Sequence, residues 1–245
     1  MTTTESPAPA EVPQKPSGFE RVIGVLIEPS ETFASIARQP DWLVPLIILL
    51  VISAIGGVIF AQRVDFVTPV RESMEERGAP AASIDTAAKW TGAISKVFAY
   101  ANPVVVTIFL LIISGVLLLA FRALGGEGTF RQAFAATTYA SMPTVIKSIL
   151  VTIIVAMKSG VTGVDIPVIL RSNLAFLVTM KEHPMAFAIL SSLDIFTIWW
   201  LVLLSIGFAY LSKFSKAKSA TIVVTLWVIV SLFKLIGPAM QSLRK

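Results

Sequence analysis

Between Trp42 and Gln62 the chain runs for 21 residues without one charged side chain. An α-helix of that length rises about 30 Å, the thickness of a bilayer's hydrocarbon core. Four further segments approach the same length: Pro103 to Phe121, about Thr138 to Met157, about Ser192 to Leu211, and about Ala220 to Gly237. Only 14% of all residues are charged, where a soluble domain carries about a quarter. The expectation is an all-α membrane protein with five transmembrane helices. Pro143 and Lys147 interrupt the third segment, and Asn102 with Pro103 reads as the start of the second.

The rest of the chain is organised around those spans. Residues 1–17 are polar and proline-rich and are expected to be a flexible tail. In 18–41, Phe19, Val22, Ile23 and Leu26 follow helical spacing, with Glu20, Arg21 and Glu28 opposite. Phe33, Ile36 and Ala37 repeat the pattern, so two amphipathic helices are expected at the membrane interface before the first span. The membrane domain covers 42–239 and a basic tail covers 240–245. The loop from Arg63 to Ala101 mixes both charges, with Arg71 and Glu75 spaced as a helical pair. Ile166 to Met180 is apolar but too short to cross, and Arg171, Ser172 and Asn173 break it; it is expected in the interface. "GGEG" at 125–128 reads as a turn ending the second span, with an amphipathic helix after it on the cytoplasmic surface.

Charge sets the partners. The formal net charge is +5, but no basic run extends beyond Lys213, Lys216 and Lys218. This suits lipid headgroups and not nucleic acid. The shortest loop, "SKFSKAKS", is the densest in lysine, which favours a cytoplasmic N-terminus and, with five spans, an external C-terminus.

Three stretches carry a resemblance: "VLIEPSETFASIARQPDWLVPLI", "RALGGEGTFRQAFAATTYASMPTVIKSIL" and the C-terminal third from "SSLDIFTIWW" to "VIVSLFKL". In order and spacing they resemble the bacterial branch of the Yip family, five-span membrane proteins named for interaction with Ypt/Rab GTPases in eukaryotes. The resemblance implies a five-helix bundle with a cytoplasmic N-terminus and no enzymatic activity. The GTPase role does not carry over to a bacterial chain.

No catalytic, cofactor or metal constellation is evident. His183 is the only histidine, there is no cysteine, and no P-loop or nucleophile elbow occurs. The candidate site residues are the intramembrane charges Lys147, Asp194 and Lys234. A charge at mid-span costs about 2.5–3.5 kcal/mol on insertion scales, so such groups are paired or functional. Lys147 snorkels if its span starts at Pro143. Asp194 opens the fourth span and Lys234 closes the fifth, and the antiparallel hairpin suggests that they pair. The functional expectation is a non-enzymatic module that organises partner proteins or lipids, with the bilayer as its constant partner. The alternative is a small permease or channel with the three charges along its path. Ser53, Gly56 and Gly57 offer a small-residue face for close helix packing inside the bundle or in a homo-oligomer.

Overall fold

The computed structural model describes residues 17–237; the expectations for residues 1–16 and 240–245 lie outside these described residues. Ser17 is the N-cap of the first helix, in a reciprocal capping box with Glu20. The helices α1 (Gly18–Ile27) and α2 (Pro29–Arg38) precede α3 (Leu43–Arg63). A short strand β1 (Val64–Asp65) is followed by α4 (Thr68–Glu76), α5 (Ala81–Tyr100) and α6 (Asn102–Ala123). Then come α7 (Phe130–Ala140), α8 (Met142–Met157), the strand β2 (Val161–Thr162) and a 3-10 turn (Leu174–Leu177). The described part closes with α9 (Pro184–Ser192), α10 (Ile195–Ser212) and α11 (Lys216–Lys234).

Among the described residues, five segments are long and apolar enough to cross a membrane: α3, α6, Phe130–Met157, α10 and α11. The chain is an all-α, multi-pass membrane protein. The third span is longer than its apolar run suggests, because α7 and α8 join across Ser141 as one 28-residue crossing. This corrects the expectation that α7 lies on the surface. Every residue from Ala133 to Pro143 is buried. Ala133, Ala135, Ala136 and Ala140 let α7 fit among α6, α10 and α2, and the buried hydroxyls of Thr137 and Thr138 donate to carbonyls one turn back, at 2.9 and 2.6 Å. No polar group on that stretch therefore draws it toward water.

The N-terminal pair docks onto the bundle by one face. Phe33 and Ile36 of α2 are buried, and Phe33 presses against the backbone at Gly207 of α10. On α1, Val25 and Arg21 face inward, while Phe19, Ile23 and Ile27 form an exposed apolar stripe. The turn after α6 has the expected glycine stop. Gly125 takes φ +87°, its N–H donates to the Arg122 carbonyl, and the Gly126 N–H donates to that of Phe121.

Small residues set two further contacts. A Cβ on Gly57 would stand 2.0 Å from the Ala99 carbonyl oxygen, so only glycine lets the end of α5 lie on α3. The Asn102 amide does not cap α6, as the sequence suggests; it donates to the Ser53 carbonyl of α3 at 3.2 Å. Arg71 likewise pairs with Asp85 of α5 at 3.1 Å, not with Glu75.

Beyond the ends of α3 and α8, β1 and β2 pair in parallel, Val64 with Val161 and Asp65 with Thr162. Asp65 is held below its usual pKa of 3.8 by the Thr68 hydroxyl and amide, and Asp165 by the Thr162 amide and hydroxyl. Depressed carboxylates contribute stability above pH 3.8 and lose it as pH falls through the lower folded value. The Gly163 N–H bonded to the Asp65 carbonyl (2.9 Å) should therefore exchange faster with deuterium once pH drops below that range. Asp65→Asn with Asp165→Asn should remove the pH step. Gly57→Ala should lower stability in detergent by about 1–3 kcal/mol, as an overpacked contact does. Gly237→Ala, with nothing within 4 Å, should leave the melting temperature unchanged.

Candidate functional site

Asp194 is the N-cap of α10 and is 1% exposed. The chain turns there from α9 into α10, and a carboxylate at that position meets two backbone donors that have no helical partner. Its Oδ1 accepts from the amides of Phe196 (3.0 Å) and Thr197 (3.3 Å). Its Oδ2 accepts from Lys147 Nζ on α8 at 3.0 Å and from the Ser172 hydroxyl. Ser172 also takes the Ile195 N–H on its carbonyl at 3.1 Å, so the "RSN" break is wedged against the head of α10 by backbone and side chain together. Beside it Asn173 is buried, donating to the Pro167 carbonyl and accepting from the Ala175 amide. Arg171, at φ +52°, turns the chain into this position and stacks over Phe176.

Two of the three predicted charges thus meet, and the third does not. The expected Asp194–Lys234 pair is absent; Lys147 takes the aspartate, and Lys234 is exposed. The register of the hairpin explains this. Ser219 of α11 donates to the Ser205 carbonyl of α10 at 2.6 Å. From that contact Asp194 lies eleven residues back along α10, and Lys234 lies fifteen residues on along α11. At 1.5 Å per residue, Lys234 overshoots the head of α10 by about 6 Å. Lys147 keeps 34% of its side chain exposed, so its ammonium bonds inward while its stem reaches the edge of the bundle.

A second polar cluster lies between α1, α2 and α7. Arg21, placed on the polar side of α1 by its sequence pattern, is 2% exposed. It donates to the Gln39 carbonyl (2.8 Å) and to the Ser35 hydroxyl (3.1 Å), while its Nε has no partner. Tyr139 of α7 points its hydroxyl at the Gly18 carbonyl, within electrostatic reach of Arg21 and Asp41. Gln132 of α7 donates to the Ala37 carbonyl at 2.6 Å. The one available sequence signal was that Arg21 lies one turn before Val25, on the same face.

The Yip1 domain family matches residues 23–237. Among curated proteins, the chain is 28% identical over 224 residues to the membrane protein YknW of Bacillus subtilis (strain 168), covering 90% of each chain. No solved structure matches.

A double-mutant cycle separates the two lysines. Asp194→Asn combined with Lys147→Met should show a coupling of about 0.5–3 kcal/mol in unfolding from detergent. Asp194→Asn combined with Lys234→Met should be additive within about 0.5 kcal/mol.

Proposed function

We propose that this chain, which belongs to the Yip1 domain family of membrane proteins, is a non-enzymatic module that organises lipid and partner proteins around a closed helical bundle. One observation carries this reading: both oxygens of Asp194 are satisfied by the chain's own groups, from α8, α10 and the 172 turn. A carboxylate committed in this way clamps the fold and has no acceptor site left over for a passing ion or substrate. The surfaces then become the functional parts. The exposed stripe of Phe19, Ile23 and Ile27 on α1 suits the headgroup boundary. The outer face of α11, with Val224, Val228, Leu232 and Phe233 exposed, suits lipid or a helix of a partner or second copy.

We infer a bacterial inner-membrane location from the likeness to the membrane protein of Bacillus subtilis, and a cytoplasmic N-terminus from the lysine density of the loop between α10 and α11. The partial exposure of Lys147 is the one feature that favours the permease reading instead. The chain has no native cysteine, so single introduced cysteines report cleanly. Cysteines at Ile146 and Val151 should resist a membrane-impermeant maleimide in intact membranes, with labelling at least about tenfold slower than at Ser159. Labelling of Ile146 and Val151 at the Ser159 rate would favour a water-filled path.

A further inference from the structure

We propose that the rim where α6 turns into α7 and α10 into α11 is a binding surface for the anionic headgroups of one membrane leaflet. Two loops far apart in sequence are knitted together there. The Glu127 N–H donates to the Ser212 carbonyl at 3.3 Å, and Lys218 Nζ reaches the Leu124 carbonyl at 3.4 Å. Lys213 pairs with Glu127 at 2.7 Å. A Cβ on Gly126 would press on Ser212 and Phe214, so the loops meet closely. The result gathers Arg122, Arg131, Lys213, Lys216 and Lys218, all exposed, around a single carboxylate of these loops, Glu127.

The positive charge is not cancelled by its surroundings. Helices α6 and α10 end at this rim while α7 and α11 begin, so their dipoles offset and the formal charges set the field. Lys216 donates to Ser30, between Glu28 at the head of α2 and Glu31 within it, which makes that edge the least positive. Arg122 uses its Nε and Nη2 on the Gly128 carbonyl and keeps three N–H groups for an outside acceptor. Across the molecule the opposite rim is mixed, with Arg71 against Asp85 and Lys181 against Glu76. Exposed Leu124 and Phe130 stand among the cations, and exposed Leu119 continues the apolar surface of α6 toward them. Cations beside apolar side chains at the end of spanning helices fit a phospholipid, whose phosphate and acyl chains are joined, better than a soluble anion.

The test uses the purified full-length protein in micelles supplied with equal phosphatidylglycerol and phosphatidylcholine, and native mass spectrometry of the retained lipid. The wild type should retain the anionic lipid roughly fivefold over the zwitterionic one, and added salt should erode the preference. Arg122→Gln with Arg131→Gln and Lys218→Gln should bring the ratio near unity, at unchanged helicity and elution volume. Arg122→Lys with Arg131→Lys and Lys218→Arg should keep the preference. If the neutralised triple fails to fold, Arg131→Gln alone should still lower the ratio. Equal retention of both lipids by the wild type would overturn the proposal. So would an equal loss from Arg71→Gln with Lys181→Gln, or millimolar inorganic phosphate binding with no lipid preference.

Discussion

A polar group inside a lipid-bathed bundle must find its partner in the same chain, because the solvent offers none. Asp194 shows this requirement most fully, drawing a lysine from α8, a serine from a distant turn and two amides from its own helix onto one carboxylate. The same rule governs the quieter groups. Ser114, Thr137, Thr138, Ser205 and Ser212 are buried, and each returns its hydroxyl proton to a carbonyl one turn back. These hydroxyls ask nothing of neighbouring helices, so they can be packed as small, nearly apolar side chains. Asp194 and Arg21 cannot be satisfied by their own helices alone, and they draw other segments in, although Arg21 Nε stays unpaired even so.

Close packing follows from residue size. Hydrophobic attraction between helices is weak in lipid, and contact depends on how near the backbones can come. Alanines let α7 sit enclosed among its neighbours, Gly57 admits the end of α5, and Gly207 admits the ring of Phe33. The amphipathic pair α1–α2 is therefore part of the bundle on one side and open on the other. The stretches carrying the family resemblance, around Ser35 to Asp41 and around Gln132 to Tyr139, converge at this junction.

Much of this architecture is legible in the amino-acid order: apolar run length marks the five spans, though not the start of the third, and glycine marks the stop after α6. What escaped was set by register and context. Asp194 reads as a helix-start residue, but its partner depends on where Ser219 meets Ser205, a tertiary contact with no local signature. Helix α7 reads as a surface helix because its alanines and threonines carry too weak an apolar signal, although their small size is what permits burial. The helical pattern puts Arg21 on the polar side, because nothing local shows that Gln39 and Ser35 receive it.

The two-residue parallel bridge between β1 and β2 fastens the far ends of α3 and α8, which already lie against each other along their length. The first and third crossings are thus joined both at the tip and along the flank, so separating them would break the bridge as well as the helix packing.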